Sequence, residues 1–229
     1  MKYFNLCVLK EDLPIWLKAW VIRKENNLIP KEYSKIEYIE SSGTEYIDTG
    51  ITPTTNTGIN IIYSYPTISS NISAGICGIY TPGPDRQEAL LITTATGSTN
   101  SKIFLASCGA TINTQINTRA NTKYNPKINW LNDGKIQIRE IVENVGTNGI
   151  VDTVTLRLFS RYNDSTNSWL NSAARIYQAQ FSEGNKIIHN FIPVKRSSDN
   201  EIGMYDTITK TFFTNGGTGN FIEPSVESS

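Results

Sequence analysis

Histidine, cysteine and charge are all scarce in this chain of 229 residues. His189 is the only histidine, so the commonest transition-metal site is removed and any Ser–His or Cys–His nucleophile depends on one ring. No nucleophile-elbow motif accompanies it, and His189 reads as a structural or surface imidazole. The cysteines are Cys7, Cys77 and Cys108. Their odd number and the absence of a CxxC pair indicate neither a zinc knuckle nor a disulfide framework. Cys77 and Cys108 lie in apolar runs and read as buried reduced thiols, with a Cys77–Cys108 bridge as the alternative. Only 18% of residues are charged, and the formal net charge is zero. The basic residues are dispersed, which argues against nucleic acid and against an anionic membrane as partner. No apolar run approaches the ~18 residues of a transmembrane helix. Met1 to Leu9 is apolar, but Lys10, Glu11 and Asp12 interrupt it before a signal-peptide core could form, so no export by the general secretory route is expected. No glycine loop is followed by Lys-Ser/Thr and a helix, so Gly216-Gly217-Thr218-Gly219 reads as a turn and not a phosphate cradle.

Uncharged polar residues fill the space that charge leaves. Thr, Ile and Tyr sit well on a pleated, half-buried surface, and Asn, Ser and Gly supply turns. Sandwiches routinely reach roughly 200–250 residues as one unit, and a globule of that size needs no covalent staple. Turn-bounded short segments are expected as strands at Ile36–Glu40, Glu45–Thr49, Gly58–Ser64, Ala74–Tyr80, Glu88–Thr93, Lys102–Ala106 and Thr111–Asn117. Seven more are expected at Ile128–Leu131, Lys135–Glu140, Thr153–Phe159, Arg175–Phe181, Lys186–Ile192, Ile202–Asp206 and Thr211–Thr214. With no convincing internal helix, the pattern predicts a two-sheet antiparallel sandwich or a barrel.

Alternation assigns faces. Val154, Leu156 and Leu158 point one way, with Thr155 and Arg157 opposite. Tyr177, Ala179 and Phe181 share a face, with Gln178 and Gln180 behind. Around Asn132-Asp133-Gly134, a three-residue loop with Gly134 left-handed pairs Trp130 with Ile136 and Ile128 with Ile138, gathering the apolar side chains on one face. Trp130 then belongs to the core, and truncation to Ala is expected to cost about 3–5 kcal/mol.

Residues 1–34 differ from the rest of the chain. Asp12 and Pro14 form a helix start signal, and on a helix Trp16 and Trp20 share one face; a strand is the alternative, because Val21 and Ile22 favour it. Pro30 closes the segment. Leu13, Trp16, Leu17 and Trp20 are candidates for docking on a partner, or else for packing back on the chain's own domain. The divisions expected are an attachment segment at 1–34, a β domain at 35–222 and a tail at 223–229.

Two stretches resemble a known domain. Ile36-Glu37-Tyr38-Ile39-Glu40-Ser41-Ser42-Gly43-Thr44-Glu45-Tyr46-Ile47-Asp48-Thr49-Gly50-Ile51 resembles the opening strand pair of a concanavalin A-like, laminin-G-like domain common in gut bacteria and their phages. Ala174–Tyr177, His189–Val194, Gly203–Asp206 and Phe212–Phe221 resemble its closing strands. The two ends bracket residues 36–221; residues 1–35 and about 80–150 lie outside the resemblance. It implies an all-β, two-sheet jelly roll whose first and last strands are neighbours, with Phe221 packing beside the opening strand.

Related folds include laminarinase-type glycosidases with a Glu-x-Asp-x-x-Glu pattern, and no such run occurs here. A retaining glycosidase needs two carboxyls about 5–5.5 Å apart. Glu37, Glu40, Glu45 and Asp48 scatter over both faces and a turn and read as a solvated edge, so no enzyme is expected. Binding remains. Tyr80 and Arg86 in one loop, with Arg161, Tyr162, Asp164 and Trp169 in another, are candidate ligand contacts, or cover for the edge of the core. Asp164 with Asn163 and Asn167 could hold calcium; no other cofactor is expected. The resemblance, the attachment-like segment and the missing export signal together lead to the expectation of a phage virion component. It would be a fibre, decoration or tail accessory protein, homo-oligomeric, held to other virion proteins by its N-terminal segment and facing a host-surface glycan. A bacterial cell-surface adhesin or carbohydrate-binding module is the alternative.

Overall fold

The computed structural model describes residues 29–67, 75–80, 91–95, 102–149 and 154–224. Leu13, Trp16, Leu17, Trp20, Cys7, Arg86 and the tail beyond residue 224 lie outside the described residues. In chain order the strands are β1 (Tyr33–Lys35), β2 (Ile39–Ser42), β3 (Ile47–Asp48), β4 (Thr57–Ser64), β5 (Gly75–Tyr80), β6 (Leu91–Ala95), β7 (Lys102–Ser107), β8 (Ala110–Asn117) and β9 (Lys127–Ile128). They continue as β10 (Lys135–Ile138), β11 (Ile141–Asn144), β12 (Arg157–Leu158), β13 (Ser160–Asn163), β14 (Ser168–Asn171), β15 (Ala173–Glu183), β16 (Lys186–Arg196), β17 (Ile202–Asp206) and β18 (Thr211–Phe213). The described residues otherwise contain only two single 3-10 turns, at Trp130–Asn132 and Asp164–Thr166.

The chain is all-β, in two largely antiparallel sheets. The larger runs β11-β10-β9-β4-β15-β16-β17-β18, with β1 on β16 and β2 on β15; the smaller runs β14-β13-β5-β6-β7-β8, with β12 joining β3 to β5. One pair, β5 with β13, is parallel. Ile59, Ile61 and Tyr63 of β4, Ile176, Ala179 and Phe181 of β15 and Phe191 of β16 belong to one buried cluster with Cys77, Ile79, Ile103, Leu105 and Leu158 of the smaller sheet. The sheets therefore share a core, in a sandwich-like arrangement. Cys77 and Cys108 are free and buried, and burial pushes both thiols above their ordinary range.

The opening and closing segments meet. Glu40 and Ile222 exchange backbone hydrogen bonds at 2.9 Å in both directions, and Phe221 packs against Phe159 at 5.3 Å. The β17–β18 hairpin forms with Tyr205 opposite Phe212. Val154, Leu156 and Leu158 follow the expected alternation, with Leu156 and Leu158 fully buried.

Two expectations are corrected. Ile128 pairs with Ile136, not Ile138. This is a shift by two residues, which preserves the faces, so Ile128, Ile136 and Ile138 are all buried. Trp130 instead falls into the 3-10 turn and is half-buried, outside the core where the full truncation cost would apply. The wider loop is built by Asn129, which is left-handed and buried. Its backbone N–H donates to Lys135 O at 2.6 Å, its Oδ1 accepts from Gly134 N–H at 3.1 Å and its Nδ2 donates to Thr55 O at 3.1 Å. Tyr177 also leaves the face assigned to it. Ile176 pairs with Tyr63 and Gln178 with Ile62, so Tyr177 is the extra residue of a bulge. It packs edge-on against Tyr38 at 5.5 Å, and Lys123 Nζ lies 4.1 Å from its ring centroid.

Gly58 marks the tightest approach of the Asn129 loop to the larger sheet. A Cβ there would lie 2.4 Å from both Asn129 O and Ser182 Oγ, and Ser182 Oγ already accepts from Leu131 N–H at 3.2 Å. Gly58→Ala is expected to destabilise the chain by about 1–3 kcal/mol through overpacking, measurable by chemical denaturation; unchanged stability would show that the loop yields freely.

Candidate functional site

The segment expected as a binding loop, 160–170, is a β-hairpin. β13 and β14 pair with Tyr162 opposite Trp169 and Asn163 opposite Ser168, closed by the 3-10 turn at Asp164–Thr166 and by Asn167 in the left-handed region at φ 46. The run Asn163 to Ser168 consists wholly of turn formers, which is why it looks like open loop. Arg161 is 8% exposed and Tyr162 9%. Tyr162 Oη donates to Asn167 Oδ1 at 2.5 Å, and its ring lies 5.2 Å from that of Trp169. The Arg161 guanidinium lies over the Tyr80 ring at 5.0 Å, because β5 places Tyr80 beside Asn163. Asp164 is exposed. The fold thus divides Tyr80, Arg161, Tyr162 and Trp169 into two pairs, because Arg161 and Tyr162 are consecutive on β13 and face opposite ways. Tyr162 with its cross-strand partner Trp169 lies towards the core, and Arg161 with Tyr80 lies on the other face of the smaller sheet. In the loop expected to suit calcium, Asn163 Oδ1 accepts from Ser165 Oγ at 2.8 Å and Asn167 Oδ1 from Tyr162. Among the described residues no group of three His, Cys, Asp or Glu side chains converges on a metal-sized space.

Beside this hairpin sits a constellation that sequence reasoning missed. The Arg157 guanidinium lies 4.1 Å from the ring centroids of both Tyr46 and Trp169. Its placement comes from alternation: Leu156 and Leu158 are buried, so Arg157 projects from the other side of β12. Asp48 is its Cα partner on β3. Asp48 Oδ2 lies 3.9 Å from Arg157 Nε, beyond hydrogen-bonding reach, while Oδ1 accepts from Gly50 N–H at 3.0 Å. Phe159, left-handed at φ 66, reverses the chain, so Leu158 pairs antiparallel and Ser160 parallel with the same residue, Cys77. That reversal carries the chain into β13–β14 and brings Trp169 back over Arg157. Tyr46 is fixed from the opposite end of the sequence. Its N–H donates to Asn215 Oδ1 at 3.2 Å and its carbonyl accepts from Gly216 N–H at 2.9 Å. A Cβ on Gly216 would lie 2.6 Å from the Tyr46 ring, so the closing glycine turn rests against that ring.

The acidic group near the opening strands is not a uniformly solvated edge. Glu45 is 2% exposed. Its carboxylate accepts from Ser42 N–H at 2.7 Å and from the hydroxyls of Ser41 and Thr44 at 3.0 Å each. Burial alone raises its pKa, but the Ser42 N–H and the Thr44 and Ser41 hydroxyls outweigh burial and hold the group below the ordinary carboxylate range. Glu40 pairs with Arg175 at 2.5 Å, partly buried; Glu37 is the exposed member, paired with Lys123. These acids scatter as the spacing predicts, but Glu45 is an internal clasp, bonded within its own turn.

His189 is likewise engaged. Its Nδ1–H donates to Asp206 Oδ2 at 2.7 Å, and its ring stacks on Phe191 at 5.3 Å. Asp206 is fully buried and accepts from the backbone N–H groups of Asn190 (2.8 Å), Ile208 (3.0 Å) and Thr209 (3.3 Å) and from Thr209 Oγ1 (2.6 Å). Burial opposes its ionisation, but His189 and these donors together hold the carboxyl far below its usual range.

A group whose pKa is depressed by folding stabilises the native state above its unfolded pKa and loses that contribution as pH falls towards its folded pKa. Asp206→Asn is expected to cost about 1–3 kcal/mol at neutral pH through mismatched buried donors. The gap between the variant and the parent chain should narrow as pH falls below about 4. Urea titrations at a series of pH values read this directly; a gap independent of pH would show that Asp206 ionisation contributes nothing.

Compared with models of known protein families and with curated proteins, the chain matches none.

Proposed function

We propose that the chain is a non-enzymatic, virion-associated structural protein of a bacteriophage. In this reading the described residues form a jelly-roll sandwich of the concanavalin A-like kind, held to the particle by the segment 1–34, which projects a binding edge towards a host-surface glycan. The carrying observation is the cluster of Tyr46, Arg157 and Trp169 with Asp48 beside it, an aromatic and polar arrangement suited to recognising a hydroxylated ligand at a sandwich rim. The cluster adjoins the hairpin bearing Trp169 and the exposed Asp164, and in this reading that edge of the smaller sheet is the presenting surface.

Other observations support the separate parts of this reading. The opening strand lies beside the closing segment at Glu40 and Ile222, as a jelly roll with neighbouring first and last strands requires. Glu45 and Asp206, the buried acids, are saturated with internal donors and serve turns, which favours binding over hydrolysis. The virion assignment rests on the resemblance of the opening and closing motifs and on the apolar, Trp-containing first segment.

Removing residues 1–30 is expected to leave a folded, soluble domain that no longer associates with particles, read by circular dichroism and by mass spectrometry of purified virions. Undiminished incorporation of the shortened chain would overturn the attachment role. Recovery of the intact chain from the bacterial envelope and not from particles would favour the adhesin reading of the same binding edge.

A further inference from the structure

We infer that Arg157 and Asp48 form a recognition site for a vicinal diol of a neutral sugar, with guanidinium N–H groups donating to one hydroxyl and the Asp48 carboxylate accepting from its neighbour. The inference rests on the glycan-binding function proposed for the chain and names the ligand class. A guanidinium held against aromatic rings by cation–π attraction need not spend its N–H donors, which all lie in its plane, on that contact. Arg157 is 4.1 Å from two ring centroids, and its Nε is enclosed with no hydrogen-bond partner among the described residues. The side chain as a whole nevertheless keeps 21% of its surface exposed. Arg175 and Arg196 also lie over rings, of Tyr38 and Phe212, but each in addition donates to a side chain: Arg175 to Glu40 and Asn121, and Arg196 to Asp199. Arg157 has two ring contacts and no such bond among the described residues, and the exposed part of its side chain is where a ligand would meet its donors.

Asp48 decides which ligand that edge suits. Its side chain is 44% exposed, and Oδ2 stands 3.9 Å from Arg157 Nε. The two charges are adjacent but not hydrogen-bonded, so a fixed donor and a fixed acceptor lie side by side with no net charge. A carboxylate or phosphate on Arg157 would meet Asp48, and a cation on Asp48 would meet Arg157. A pair of neighbouring hydroxyls satisfies both groups, because each hydroxyl donates and accepts. Flat stacking of a pyranose is not the mode here. Trp169 lies between Arg157 and Tyr162, and Tyr46 is packed by Arg157 and by the Gly216-Gly217 turn. Recognition therefore runs through hydroxyls at the polar edge.

The test uses the intact chain and three immobilised polysaccharides: yeast mannan and dextran, both neutral, and alginate, which carries a carboxylate on every sugar. Binding to a neutral polysaccharide is expected, and prior periodate oxidation of that polysaccharide, which cleaves vicinal diols, should abolish it. Arg157→Lys keeps the charge but not the stacked fork, and Asp48→Asn removes the anionic acceptor; each should weaken binding roughly tenfold or more, with folding checked by circular dichroism. Preference for alginate, strengthened by Asp48→Asn, would replace the diol site with an anion site. Neutral binding untouched by folded Arg157 and Asp48 variants would leave the glycan reading intact and move the site elsewhere. Failure of every polysaccharide to bind would sink the glycan reading itself, and the diol site with it.

Discussion

The arrangement of the larger sheet depends on one strand meeting three partners. β15 pairs along one side with β4 from Arg175 to Glu183. Along the other it pairs with β2 over Ala173–Ile176 and with β16 over Ala179–Glu183. β15 and β16 leave their common turn as a hairpin and then separate, and the segment from Tyr33 to Ser42 enters the gap. β1 takes Val194–Arg196 of β16, and β2 takes the beginning of β15. Ile222 closes on the far side of β2. The opening segment is thus seated against the longest hairpin and the closing one against the opening segment, and the backbone groups that the divergence would orphan are paired.

Serving three partners requires irregularities, and these are where simple alternation fails. The β15–β4 register shifts at Tyr177 and the β15–β16 register at Ile188. Before the first shift Ala174 and Ile176 face the core; after it Ala179 and Phe181 do. A strict two-residue period cannot hold both sets on one face, so Tyr177 is expelled to the outer surface. Where strands run without bulges, as in β4 and β17, the bounds read from the sequence lie within one residue of those in the structure. Polar strands are illegible for a related reason. Ser160–Asn163 and Ser168–Asn171 carry turn-forming residues in strand conformation, because β5 and the hairpin ladder supply hydrogen bonds that propensity does not anticipate.

The candidate site shows the same division. That Arg157 faces away from Leu156 and Leu158 is legible from alternation. Its contacts are not, because Tyr46 and Trp169 arrive from β-strand pairings remote in sequence. One of these depends on the left-handed backbone at Phe159, a conformation that carries a penalty for a bulky residue and that no composition rule would place there. Tyr162 and Trp169 are readable as neighbours in a shared segment, but their burial is not, since a loop assignment hides the cross-strand pairing that encloses them.

Buried acids sharpen the contrast between structure and recognition. Asp206 and Glu45 are both enclosed and both surrounded by donors, so their ionised forms are stabilised by the fold and their lone pairs serve turns. Asp48 differs. It sits across a strand pair from a guanidinium held against two aromatic rings, and its side chain remains partly at the surface. An exposed ion pair adds little to stability, and here its geometry is too long even for a hydrogen bond. The two ring contacts hold Arg157 in place, and the carboxylate beside it adds little to that hold. The proposed diol would bridge Arg157 and Asp48 Oδ2, the carboxylate oxygen that the Gly50 N–H does not engage.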